Sequence, residues 1–474
     1  MNAEMLDALG GIETKPFGAF NPANGAVGGQ GGGQQQPAYA AQRQQPQQNT
    51  NILDLVFILD CTGSMGSYIA SATKNIELIC ENIVHSGSLP SADCLRIGLV
   101  AYRDYPPQDN SYVTKSFPFT SSVPTMKEQL KSLYASGGGD GPEAVTAGIK
   151  AALELDWRQD ATKMCVLIAD APCHGIGEYG DGFPQGGPDG EDPLVLTRQM
   201  AAAGIPLFVV ACEPALSGYQ FGLDLFRAFT VITSALLVPL TTASLLSHVI
   251  VGSALEHLEM ERLIHEVGQA VAERIHAGLQ TVDDVARELH ERLLLRGEET
   301  KQLKFESIHR ETDETRHNVE VFVNAPDLQT AKPQLKKIRG SRFTEKYLQS
   351  RYNSSFSRSS AYSDIIYPSL PPRHGSTPTS SSSASSAGSM LSTSPTRKVI
   401  SEFKPFSASG LMSVAEAPLG IANENLPSAG AQTMADDEVE KLAQSVELRF
   451  AGISLEQAKR ITIASAWRTA PPRA

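Results

Sequence analysis

The rhythm of apolar positions changes several times along this chain, and the changes mark out one densely folded region. Ile52 to Leu59 is a short apolar run ending in Asp60, the pattern of a strand covered on both faces. Comparable runs follow at Leu95 to Tyr102, Met164 to Ala169, Pro206 to Cys212 and Ala235 to Leu240, with Tyr112 to Phe117 as a shorter edge strand. Between them the period lengthens. Ile69, Ile76, Ile79 and Ile83 recur at helical spacing, as do Val145, Ile149, Ala152 and Leu153, and Leu194 to Ala203 and Leu245 to Leu258 complete the series. Strands alternating with helices imply parallel pairing through right-handed crossovers. The expected fold class is therefore α/β: a doubly wound, mostly parallel, Rossmann-like sheet with helices on both faces, spanning residues 51–260. In such a sheet ligands bind beyond the carboxyl ends of the strands.

The flanks read differently. Residues 1–50 form a Gly- and Gln-rich arm with too little apolar surface to offset chain entropy, and the Ser-rich stretch 350–432 is expected to be disordered for the same reason. That stretch is either a phosphorylation substrate or a solvated linker. Val267, Val271 and Ile275, then Val282, Val285, Leu289 and Leu293 behind a cap at Thr281, predict a helical extension over 261–300. Residues 301–349 give no clear pattern. In the last segment, 433–468, Val439, Leu442, Ala443 and Val446 share a helical face, and Ser454 with Gln457 forms a capping box before Ala458 to Trp467. It is either a docking peptide or a pair of helices that folds back. Phe229 to Val251 is apolar, but Pro239, His248 and interspersed Ser and Thr favour a buried strand and helix over a membrane span.

Composition narrows the function. The 474-residue chain carries a formal charge of −12, which argues against a dedicated nucleic-acid binder. Its six cysteines all fall inside the folded region without a CxxC pair, and the N-terminus lacks the apolar run of a secretory signal. A reduced, cytoplasmic setting is expected.

Chemistry concentrates where the first strand ends, at Asp60-Cys61-Thr62-Gly63-Ser64-Met65. One carboxylate and two hydroxyls at alternate positions can aim three oxygens at a hard cation such as Mg²⁺. So few carboxylates leave the cation under-neutralised, and a partner's carboxylate can complete its shell. Asp60-x-Thr62-x-Ser64 behind an apolar strand resembles the metal-ion-dependent adhesion site of von Willebrand factor A domains, whose usual form is Asp-x-Ser-x-Ser. Thr62 keeps the hydroxyl and adds a methyl. The loop Ser136 to Ala144 lacks the metal-facing Thr of many members, but its Asp140-Gly141-Pro142-Glu143 resembles the Asp-x-Pro-Glu loop in the A domains of integrin β-subunits. That resemblance implies Glu143 as the metal-facing residue and Asp140 as the second. Asp170, after the Met164 to Ala169 strand, is similar to the family Asp that reaches the ion through water. The loop from Asp170 through Cys173 and His174 to Asp192-Pro193 resembles A domains found beside alpha-kinase catalytic domains in amoebae and fungi.

The resemblance implies a non-enzymatic docking module that binds Mg²⁺, with Mn²⁺ or Ca²⁺ as substitutes, and meets a protein partner through an acidic side chain. No nucleic acid and no membrane are expected as partners, and the oligomeric state stays open. Two other readings remain: a component or regulator of an alpha-kinase-type system, and a metal-independent scaffold in which Asp60, Thr62 and Ser64 merely cap the first helix. A dehalogenase-type phosphatase would need a carboxylate at Thr62 as acid or base. Cys173 and His174 could ligate zinc but lack a second pair, so loop anchoring is the expectation. The acids Asp181, Asp189, Glu191 and Asp192 have no calcium-loop spacing and are expected to be solvated.

Overall fold

The computed structural model describes residues 52–278, 280–351 and 446–469. They fall into two units, the first built from residues up to Tyr347 together with those from Thr433 onward. Of the second, Leu348–Gln432, only 348–351 are described, as helix. The Gly- and Gln-rich arm, the Ser-rich stretch and the predicted face Val439, Leu442 and Ala443 lie outside the described residues.

In the first unit the elements run β1 (Leu53–Asp60), α1 (Gly66–Ile83), β2 (Leu95–Tyr102), β3 (Thr114–Thr120), α2 (Val123–Lys131), α3 (Val145–Leu153), β4 (Thr162–Ala169), α4 (Pro193–Ala202), β5 (Leu207–Cys212), α5 (Gly222–Ile232), β6 (Leu237–Leu240) and α6 (Leu246–His276). They continue with α7 (Val282–Leu295), β7 (Glu299–Phe305), α8 (Asp313–Asn324), the single turn α9 (Leu328–Ala331), β8 (Val446–Gly452) and α10 (Leu455–Arg468). The main sheet has the order β3-β2-β1-β4-β5-β6, and only β3 is antiparallel. The doubly wound, mostly parallel sheet is thus the observed architecture. Its edge strand begins two residues later than Tyr112, and β6 starts at Leu237 rather than Ala235.

β1 is central and wholly buried, and its side chains alternate between two cores, as period two requires. Leu55, Phe57 and Leu59 join a layer with Ile69, Ile76 and Ile79 of α1 and Ile250 and Ala254 of α6. Val56 and Ile58 join the opposite layer with Ile149, Met200 and Phe226. The chain leaves β1 for β2 on one side and returns with β4 on the other, so a crevice opens at the carboxyl end of β1, where the connections diverge. Register puts Asp60 opposite Tyr102 and Leu59 opposite Ile168, so the loops after all three strands meet at one edge. At the other end, buried Asp54 accepts from Arg96 and Arg158 at 2.6 to 2.9 Å. Burial alone would raise its pKa, but the two guanidinium groups hold it below the usual carboxylate value.

The C-terminal part departs most from expectation. The helical extension continues the preceding helix, as its stripe implied: α6 runs without a break from Leu246 to His276, and α7 restarts behind the Thr281 cap. Val446, expected on a helix, stands in β8, which pairs antiparallel with β7 inside the stretch that gave no pattern. α10 lies on α6 and α7, where Ile453, Ala458 and Ile461 meet Met260, Leu263, Val285 and Leu289. Arg460 donates to Glu256 at 2.7 Å, Arg468 to Glu261 at 2.5 Å, and the free oxygen of Glu256 accepts the Leu303 N–H of β7 at 2.7 Å. The segment therefore folds back as strand and helix. The apolar Phe229 to Val251 stretch is divided among α5, β6 and α6, and no helix of the described residues is long and apolar enough to cross a membrane.

Because Glu256 and Arg460 are both buried, removing one strands the other without a counter-charge. Arg460→Ala should cost about 3–5 kcal/mol by that route, and Ile461→Ala about 2–5 kcal/mol through the cavity it leaves. Urea unfolding of the full chain checks both; losses under about 1 kcal/mol would mean that the returning segment is not part of the cooperative core.

Candidate metal centre

Three loops close the carboxyl edge of the sheet, and backbone hydrogen bonds fasten them together. Gly63 N–H donates to Gly137 O (3.2 Å), Ser136 N–H to Cys61 O (3.1 Å), and Glu143 N–H to Pro172 O (2.8 Å). Asp60 Oδ1 accepts from the Thr62 N–H at 2.8 Å and the Thr62 hydroxyl at 2.6 Å, and the Tyr102 hydroxyl donates to Oδ2 at 3.3 Å. Ser64 is exposed, and its hydroxyl is near enough to Asp170 to favour the ionised carboxylate. Gly138 has φ near +79°, and a Cβ there would fall 2.7 Å from Glu143 Oε1. Only glycine suits that position, because a side chain would be strained by the backbone and would collide with the carboxylate.

Asp60, Glu143 and Asp170 are all buried, and among the described residues no basic side chain forms an ion pair with any of them. Burial first, and then the charge of Asp170, push Asp60 up to about 7. Burial and the charges of Asp60, Asp104, Asp140 and Asp170 push Glu143 up to about 10. Asp170 is also raised by burial, with the Ser64 hydroxyl opposing. Among the described residues, Glu143 Oε2 has no hydrogen-bond partner. An orphaned carboxylate oxygen and two further uncompensated buried carboxylates on neighbouring loops are donors of the type a divalent cation takes, although the three do not bring ligand atoms within 4.8 Å of one another. Helix capping does not account for it: neither Thr62, at the head of the turn Gly63–Met65, nor Met65, at the head of α1, makes a side-chain cap bond.

Asp140 belongs elsewhere. Its Oδ2 accepts the Gly182 N–H at 2.5 Å, and its carboxyl faces Asp104 and His174. His174 Nε2 lies 2.7 Å from Asp104 Oδ1 and Nδ1 lies 2.8 Å from Asp181 Oδ1, so the expected anchoring role is visible in its contacts. The acids expected to be solvated are anchors too. Asp181 holds His174, Asp189 accepts the Tyr105 hydroxyl (2.8 Å), Glu191 pairs with Lys150 (2.5 Å), and Asp192 caps α4 while accepting the Leu328 N–H (2.7 Å).

Arg103 is a residue that sequence reasoning missed. Fully buried, it donates to Cys61 O (3.2 Å), Ser111 Oγ (2.7 Å) and Tyr134 O (2.7 Å), with its guanidinium 4.5 Å from the rings of Tyr112 and Tyr134. It ties the first loop to the neighbouring ones. The signal was the charged pair Arg103-Asp104 directly after an apolar strand.

The central Asp-x-Thr-x-Ser turn at the end of β1 and the doubly wound, mostly parallel sheet define a domain of the von Willebrand factor A type. The model of the von Willebrand factor A domain family matches residues 54–175, and the chain contains such a domain. Alpha-protein kinase vwkA of Dictyostelium discoideum is 36% identical over 141 residues, 29% of this chain and 22% of that protein. A putative ariadne-like RING finger protein of Acanthamoeba polyphaga mimivirus is 31% identical over 135 residues, 28% of this chain and 12% of its own length. The match therefore spans less than a quarter of either relative. Among solved structures, the pilus adhesin SpaC of Lactobacillus rhamnosus GG aligns with a TM-score of 0.34 at 13% identity, over 45% of this chain and 31% of that one. Mussel byssus proximal thread matrix protein 1, with a zinc-occupied MIDAS motif, aligns at 0.30 and 12%, over 44% and 46%.

The buried acids and His174 give a pH dependence of one sign. Burial lowers the basicity of His174, but hydrogen bonds to Asp104 and then Asp181 outweigh it and lift the ring to about 9. A group held above its unfolded value of 6.5 adds stability that is complete below that pH and is lost as pH rises through about 9. Asp60 and Glu143, raised likewise, act in the same direction because the folded state holds their protons more tightly. In chelator, stability should fall between pH 6.5 and 9, with a His174 share on the order of 3 kcal/mol. Urea midpoints that stay flat or rise across that range would contradict the assignment.

Proposed function

We propose that this domain is a non-enzymatic, metal-dependent docking module. Asp60, Thr62 and Ser64 hold Mg²⁺, with Mn²⁺ or Ca²⁺ able to replace it, and Glu143 and Asp170 complete or tune the centre. The observation that supports this most is that Asp60, Glu143 and Asp170 are each buried with no counter-ion among the described residues, where Glu143 Oε2 also lacks a partner. When bound, the cation would supply a Lewis-acidic position for an incoming oxygen. The protein's residues do the rest: Tyr102 and Thr62 orient the Asp60 carboxylate, the Gly138 backbone leaves room for Glu143, and Ser64 stands exposed at the mouth. Two neutral hydroxyls among the ligands leave positive charge to attract a carboxylate from a protein partner.

The two curated relatives carry the names of different activities, an alpha-kinase and a RING finger, yet match over stretches of similar length. That suits a portable module joined to different machinery, and it makes association with a kinase-type system the second reading. A cytoplasmic setting fits the six unpaired cysteines.

Calorimetric titration of Mg²⁺ into the full chain should give saturable binding that disappears in Asp60→Ala and weakens at least tenfold in Thr62→Val. Since the cation displaces protons from Asp60 and Glu143, affinity should rise from pH 6 to pH 8. A folded wild type that binds no cation, or an Asp60→Ala variant that binds it unchanged, would leave only a metal-independent scaffold.

A further inference from the structure

We propose that the domain carries a second metal site, distinct from the first, in which Asp104, Asp140 and His174 bind a transition-type divalent cation such as Zn²⁺. Asp104 follows β2, Asp140 stands in the second loop and His174 in the third, and each presents a ligand atom within 4.8 Å of the others. No other group of three His, Cys, Asp or Glu side chains among the described residues does so.

Independent of that clustering, two oxygens point to an ion. Asp104 is 0% exposed, yet among the described residues its Oδ2 has no hydrogen-bond partner, and the Oδ1 atom of half-buried Asp140, itself out of solvent, has none either. The remaining ligand-side atoms are already fixed from outside. Tyr105 N–H donates to Asp104 Oδ1 at 2.7 Å, Gly182 N–H donates to Asp140 Oδ2, and His174 Nδ1 is hydrogen bonded to Asp181 Oδ1. Each of the two carboxylates thus has one anchored and one unpartnered oxygen, and His174 Nε2 meets Asp104 Oδ1 at 2.7 Å. A carboxylate on the far nitrogen of a ligating imidazole sets its tautomer and raises its basicity, which is the arrangement of Asp181 and His174. The rings of Tyr105 and Phe183 pack on His174 with centroids 5.8 and 4.9 Å away, which holds the imidazole plane.

The donor types select the metal. One imidazole with two carboxylates suits zinc or its neighbours, whereas the oxygen-only set around Asp60 suits Mg²⁺. Three protein ligands leave coordination positions for water. Asp181, one step removed, is a positioning residue.

The test uses untagged full-length protein dialysed against limiting Zn²⁺ in millimolar Mg²⁺. The expected result is one zinc per chain, with one imidazole in its shell by X-ray absorption. That zinc should survive Asp60→Ala and be lost in His174→Gln and Asp140→Asn, while Asp181→Asn weakens it by about 10- to 100-fold without removing a ligand. An all-oxygen or sulfur-containing shell in the wild type overturns the proposal, as does zinc lost in Asp60→Ala but kept in Asp140→Asn. The wild-type spectrum decides even where a variant fails to fold. Failure of Mg²⁺ binding at Asp60 leaves this result untouched, since the two centres share no ligand.

Discussion

The architecture of the carboxyl edge turns on one constraint: Asp60, Glu143 and Asp170 are taken out of water with no lysine or arginine among the described residues paired to them. Burying an isolated carboxylate is costly, and the usual outcomes are a counter-ion or retention of a proton. Asp60 and Glu143 show the second outcome in their raised proton affinities, and the unpartnered Glu143 oxygen shows that protein donors do not substitute for the first. Both features appear at the topological switch point of the sheet, where a parallel architecture places its ligands. A fold under selection for stability alone would fill such a place with apolar side chains.

Holding these acids together demands stiffness, and the molecule supplies it in layers. Arg103 ties the first loop to Tyr134 and Ser111, and its charge is met by carbonyl and hydroxyl oxygens, by tyrosine rings and by the Asp109 carboxylate 3.9 Å away. The third loop is fastened by its own acids, each engaged with a named donor. Farther out, the returning strand and helix cover the face of α6 that the sheet leaves bare. Glu256 and Glu261, on that helix, are each matched by an arginine from α10. The helix that follows the last strand of the domain is thus clamped between the sheet and the C-terminal segment.

Much of this was legible in the sequence because it rests on local periodicity. The apolar runs gave the parallel strands nearly residue for residue, and the Asp60, Thr62 and Ser64 turn could be placed because it ends the first of them. What stayed illegible depends on distant partners. Val446 continues a helical pattern, but Glu299 to Phe305 offers its unpaired edge, and pairing across the intervening chain overrides propensity. Residues 301–349 gave no pattern because their buried face mixes polar and apolar groups: Thr315 and Asn318 share it with Val319 and Phe322, and Arg342 with Asp224 and His309 with Glu213 are buried pairs made at long range. The acids of the third loop looked solvated for the same reason: their donors, Tyr105, Lys150 and Leu328, lie far away in sequence.

Asp140 shows how fine the division of labour becomes. It stands three residues before Glu143 on one turn, yet the two carboxylates serve different neighbourhoods, because the intervening Gly141-Pro142 turns the chain between them. The Tyr219 hydroxyl donates to Gly141 O at 2.6 Å and the Glu143 N–H is taken by Pro172 O, so both ends of the turn are fixed to the third loop and its flank. Each carboxylate feels the other's charge, since Asp140 is among the groups that raise Glu143. Neutralising either one therefore eases ionisation of the other, and the electrostatics of the two neighbourhoods are joined through this turn even though their ligating atoms are separate.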